Sequence, residues 1–187
     1  KAIKDLEEAR QMGMVDEKSL TALAVAYEKT RRLAEADCAK GETARLAGNY
    51  DEAIRLETQA LTEKQNLAEA FVCRGDAMFD TRHYPDAIRD YSSALKLQPD
   101  FLNVYFKRGV AKEAFKHYQD SIEDFNTILD RQPDRADAWC ERGKAYAATG
   151  RVYDAINDLN RAITLRPDDA GAYFARGEIY NSIHETP

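Results

Sequence analysis

Residues 67–100 read LAEAFVCRGDAMFDTRHYPDAIRDYSSALKLQPD, and the same pattern follows twice more without a gap. It returns as FLNVYFKRGVAKEAFKHYQDSIEDFNTILDRQPD at 101–134 and as RADAWCERGKAYAATGRVYDAINDLNRAITLRPD at 135–168. A partial fourth copy, AGAYFARGEIYNS, begins at Ala170. Arg-Gly recurs as Arg74-Gly75, Arg108-Gly109, Arg142-Gly143 and Arg176-Gly177, and proline as Pro99, Pro133 and Pro167. One register held over so many positions marks a repeat architecture, in which each unit buries its apolar face against the next.

Each unit has a helical grammar. An aromatic stands four residues before the glycine (Phe71, Tyr105, Trp139, Tyr173), and Tyr146 and Tyr180 stand three after it. Steps of three and four put these on one helical face. A glycine inside a helix costs roughly 1 kcal/mol relative to alanine, so the pattern predicts close approach of a second helix through Ala87, Ser121 and Ala155. That helix carries apolar rows such as Ala87, Tyr91 and Ala94, or Ala155, Leu159 and Ala162. Proline ends it, and Asp86, Asp120 and Asp154 suit the positive end of its dipole. Arg74, Arg108 and Arg142 precede Asp90, Asp124 and Asp158 by a constant interval. Across antiparallel helices this predicts a ladder of Arg–carboxylate pairs, bidentate where geometry allows; the alternative is solvated surface charge.

These residues resemble the tetratricopeptide repeat, a helix–turn–helix with Trp, Leu-Gly, Tyr, then Ala, Phe and Pro. The likeness covers about residues 34–183. One departure is systematic, since arginine replaces the leucine before each glycine. The unit from Leu33, LAEADCAKGETARLAGNYDEAIRLETQAL, keeps Gly41, Ala53 and Ala60 but lacks the aromatic and the proline, as terminal repeats often do. The resemblance implies an all-α, right-handed α-solenoid of stacked antiparallel helix hairpins. The expected division is N-terminal helices at 1–33, a degenerate repeat at 34–67, repeats at 68–101, 102–135 and 136–169, and the first helix of another at 170–187. The opening KAIKDLEEAR matches a second helix, as in DAIRDYSSALK, and is expected to belong to a fragment of a larger protein. From Asp16 either an extra helix is inserted or it fuses with the next; no Gly or Pro intervenes before Gly41, which favours one long helix to about Ala47. At the other end, Tyr173, Ile179 and Tyr180 are expected to lack a covering helix.

Composition narrows the function. Apolar residues make up 44% and charged residues 32% of the 187, with a formal net charge of −6. An acidic chain lacks the clustered cations that displace counterions from nucleic acid, and no apolar run is long enough to span a bilayer. Cys38, Cys73 and Cys140 match no zinc spacing and read as small, reduced apolar residues, in keeping with a cytoplasmic setting. His83, His117 and His184 read as polar turn residues. No nucleophile elbow, metalloprotease helix, phosphate loop or dinucleotide loop occurs, so neither enzyme activity nor a metal or cofactor is expected.

The resemblance implies a concave surface lined by first helices. Residues after the aromatic and after the glycine point into it: Val72 with Asp76, Phe106 with Val110, Cys140 with Lys144, and Phe174 with Glu178. Lys107 and Glu141 stand beside them and Phe79 a turn further on. Phe106 and Phe174 are the expected anchors for an apolar, possibly basic protein segment. At the positions where a chaperone-binding subclass clamps a carboxylate, this chain has Val72, Asp76, Lys107, Asp137 and Glu141, the wrong charge for that ligand. The expected role is a scaffold or adaptor for protein–protein interaction, with self-association possible through open ends. The alternative is an accessory, substrate-presenting array of a multidomain enzyme or co-chaperone.

Overall fold

The computed structural model describes residues 2–11 and 16–184. Among these, all regular structure is helical: α1 (Ala2–Gln11), α2 (Glu17–Lys29), α3 (Leu33–Leu46), α4 (Tyr50–Glu63), α5 (Ala68–Asp80), α6 (Tyr84–Leu97), α7 (Leu102–Ala114), α8 (Tyr118–Arg131), α9 (Ala136–Ala148), α10 (Val152–Leu165) and α11 (Ala170–His184). The chain divides into two compact units, residues 1–99 and 100–187. The first stacks the hairpins α3/α4 and α5/α6 with α1 and α2; the second stacks α7/α8 and α9/α10 with α11.

The turns explain the period. After α3, α5, α7 and α9 the chain takes one left-handed residue: Gly48, Arg82, Lys116 and Gly150. In each case the next amide reaches back five residues, as His83 N to Met78 O at 2.8 Å and Arg151 N to Tyr146 O at 2.9 Å. This double closure satisfies the last carbonyls of a helix. Arg31, with φ 58°, makes the same turn after α2, where Arg32 N bonds Tyr27 O at 2.9 Å. The expected long helix from Asp16 to Ala47 is therefore two helices. Arginine takes the left-handed position usually given to glycine, so the break carried no glycine signal. The second helices end in extended residues, Gln98, Gln132 and Arg166, each before a proline as proline requires. Lys64 adopts the same geometry with no proline after it.

The cores follow the predicted rows. Ala87, Tyr91 and Ala94 are buried, as are Ala155, Leu159 and Ala162. The glycines make room for more than the small residues expected. A Cβ on Gly109 would lie 2.8 Å from the Phe125 ring, and one on Gly75 2.8 Å from the Tyr91 ring. At Gly143 the added atom would meet Leu159 at 2.9 Å and also the Ala155 carbonyl at 3.3 Å, the approach expected there. Ile179, expected to lack cover, is buried with Tyr146, Ala155 and Leu159; Tyr173 and Tyr180 are exposed, as expected.

The arginine before each glycine holds its hairpin together. Arg74 Nε and Nη2 donate to Asp90 at 2.7 and 2.9 Å, Arg108 to Asp124 at 3.0 and 2.6 Å, and Arg142 to Asp158 at 2.7 and 3.0 Å. The expected ladder is present and fully bidentate. The three aspartates are buried, so each pair is far from the surface charge of the alternative reading. The same arginines lie over Phe71, Tyr105 and Trp139 on their own helices. A further nitrogen reaches the preceding second helix, from Arg74 to Thr58 and from Arg142 to Asn126.

Candidate partner-binding site

In the second unit the first helices α7, α9 and α11 are neighbours, α9 touching both others. Between two of them, Glu113 of α7 meets Glu141 and Lys144 of α9. Lys144 Nζ donates to Glu141 Oε1 at 2.9 Å. Burial, then the facing Glu141 carboxylate, push the Glu113 carboxyl up to about 8. Near neutral pH Glu113 is therefore held mostly as the acid beside Glu141, whose charge Lys144 answers. Phe174 is 68% exposed, the largest value of any phenylalanine here, and Glu178 is also exposed.

Two expected lining residues lie elsewhere. Cys140 is 4% exposed and belongs to the core with Ile122 and Tyr146, because its helix turns that side toward its neighbours. Burial pushes its thiol up to about 11. Phe106 is half-buried, its ring 5.9 Å from Phe125 edge to face and capped by Arg135 at 4.9 Å. It is committed to packing, and Val110 packs against the same core. Lys107 is half-buried beside it.

In the first unit the expected residues lie on α5. Val72 is half-buried, Asp76 accepts a hydrogen bond from Tyr91 Oη at 2.8 Å, and Phe79 lies 5.5 Å from the Tyr84 ring. Next to them is a buried polar cluster that the sequence reading missed. Arg10 of α1 reaches over α3 and α5. Its Nη2 donates to Cys38 Sγ at 3.0 Å and Cys73 Sγ at 3.2 Å, and its Nε to Glu42 Oε2 at 2.6 Å. Ile3 and Leu6 of α1 pack on Leu23, Tyr27 and Ala36, and Glu7 joins Tyr27 Oη and Arg32. Below lies Glu57 of α4, fully buried, neither oxygen hydrogen-bonded. Burial pushes its carboxyl well above the usual range, and the adjoining Cys73 thiol, then burial, push Cys38 up. A signal existed: Cys38 and Glu42 stand one period before Val72 and Asp76, and Glu57 one period before Tyr91.

His83 and His117 precede α6 and α8 as turn residues, whereas α11 runs on through His184. No helix among the described residues is long and apolar enough to cross a membrane.

The tetratricopeptide repeat profile matches residues 74–134, 106–170 and 140–182, together more than half the sequence. The chain belongs to the tetratricopeptide repeat family. No curated protein matches it in sequence. Among solved structures, these repeats are similar to MamA from Desulfovibrio magneticus RS-1, at 19% identity over 81% of this chain and 85% of that one, with a TM-score of 0.76. They are similar to YrrB, described as a tetratricopeptide repeat protein with an unusual peptide-binding site, at 19% identity over 94% and 97% with a TM-score of 0.74. A third is the first such domain of Spaghetti (RPAP3) bound to the HSP90 peptide SRMEEVD, at 21% identity over 63% and 93% with a TM-score of 0.60. At these identities the likeness establishes the fold.

Proposed function

We propose that this tetratricopeptide array is a non-enzymatic scaffold that holds a segment of another protein along the first helices of its second unit. The observation that carries this reading is the meeting of Glu113 and Glu141 on that face, with Phe174 exposed one helix away. A Lys or Arg side chain of a partner would pair with the Glu141 carboxylate and displace the Glu113 proton to solvent, and an apolar residue would cover Phe174. The solved neighbours support a peptide-holding role, since two of them are described by a peptide site or a bound peptide. The sign of the ligand differs. The HSP90 peptide is acidic, whereas this chain offers Asp76, Asp137 and Glu141 where that ligand class needs cations.

Selection from a random peptide display library tests this. Wild type should enrich sequences pairing a basic residue with an apolar one. Glu141→Lys should reverse the charge preference, and Phe174→Ala should relax the apolar one. Enrichment of the same peptides by all three proteins would remove the assignment.

A further inference from the structure

The first unit contains three potential metal donors in one dry place. Cys38 Sγ, a Glu57 carboxylate oxygen and Cys73 Sγ lie within 4.8 Å of one another, contributed by α3, α4 and α5 in turn. We propose that Cys38, Glu57 and Cys73 bind a zinc-class divalent cation that staples these three helices.

Four observations converge on it. The sulfur atoms are 3.9 Å apart. A tetrahedral ion with metal–sulfur bonds of about 2.3 Å needs sulfurs about 3.8 Å apart. Second, Glu57 occupies the position that Tyr91, Phe125 and Leu159 fill in the following repeats, covering the glycine of its own hairpin. A carboxyl buried there with neither oxygen hydrogen-bonded is an unmet polar group, held as the neutral acid until a ligand takes it. Third, one nitrogen of Arg10 donates to both sulfurs. That is the outer contact which settles metal-bound thiolates and tunes their basicity. Fourth, a divalent ion would offset two of the three negative charges of two thiolates and one carboxylate, and the Arg10 guanidinium, shared with Glu42, would offset part of the rest. The thiols and the Glu57 acid release their protons to solvent on loading. A solvent oxygen supplies the fourth corner. Soft sulfur with one carboxylate favours zinc over magnesium or calcium.

Cobalt(II) added to the reduced, chelator-stripped chain tests the site. One equivalent should give thiolate-to-cobalt charge transfer and tetrahedral d–d absorption, both abolished by zinc, and zinc should raise the melting temperature. Cys38→Ser and Cys73→Ser should lose the absorption, and Cys140→Ser should keep it. Glu57→Gln preserves the shape and guards against loss of fold. It should weaken zinc binding by at least ~100-fold, given that outer contacts alone are worth ~10–100-fold, and Arg10→Ala should fall in that lower range. No absorption at one equivalent, absorption that survives Cys38→Ser with Cys73→Ser, unchanged affinity in Glu57→Gln, or a Cys38–Cys73 disulfide in the freshly isolated chain would each overturn the proposal.

Discussion

Replacing Arg142 by leucine, the residue the family signature carries there, tests what the systematic departure is for. The change would remove both donors from Asp158, whose side chain is only 7% exposed. Breaking a buried pair by deleting one partner costs about 3–5 kcal/mol, because the remaining charge is stranded. The reverse change, Asp158→Leu, should cost less, about 2 kcal/mol. Arg142 keeps Asn126 at 2.6 Å and the Trp139 and Tyr146 rings. The double variant should recover part of the loss, with a coupling energy of about 2 kcal/mol. Urea unfolding provides the assay. The single tryptophan of the chain, Trp139, lies 4.7 Å below the Arg142 guanidinium and reports locally, while circular dichroism reports the whole array. Raising salt from about 0.1 M to about 1 M should leave the coupling nearly unchanged, since screening acts on exposed pairs. Single costs below about 1 kcal/mol that add in the double variant would refute the reasoning, for they belong to exposed ion pairs.

Further outcomes follow from the same geometry. The folded-state value near 8 for Glu113 lies above its ordinary 4.5. Its contribution to stability is therefore present below about pH 4.5 and lost as pH rises through about 8. Glu113→Gln should gain stability over wild type by several kcal/mol, at most about 4, between about pH 5 and about pH 9 in thermal melts. Arg82→Gly and Lys116→Gly, at left-handed turn residues, should each raise stability by about 0.5–1 kcal/mol in urea titrations. Gly109→Ala should cost about 1–3 kcal/mol through the clash with Phe125. Gly177→Ala, where an added Cβ meets nothing within 4 Å, should gain up to about 1 kcal/mol. Paired melts of the two alanine variants check the contrast.

Much of this architecture was legible as pattern. The period of the Arg-Gly pairs placed the hairpins, and the constant Arg-to-Asp interval foretold the bidentate ladder, because antiparallel helices turn a fixed offset into contact. The unread parts broke a local rule. Arg31 ends α2 in a conformation that glycine normally signals. The expected glycine partners were the small residues because periodicity marks a face, and only packing shows which side chain on that face fills the gap. Phe106 and Cys140 share a register with exposed Phe174, yet Arg135 caps the Phe106 ring and the α9–α11 core buries Cys140. The Arg10–Cys38–Cys73–Glu57 cluster joins positions far apart in sequence, and the unit carrying it lacks the repeat's signature residues.

Backbone amide shifts recorded by NMR while a selected basic–apolar peptide is titrated give the most direct measurement. The account expects saturable changes concentrated on α7, α9 and α11 around Glu113, Glu141 and Phe174, suppressed in Glu141→Lys. Changes centred on α8 and α10 with the first helices silent would contradict it.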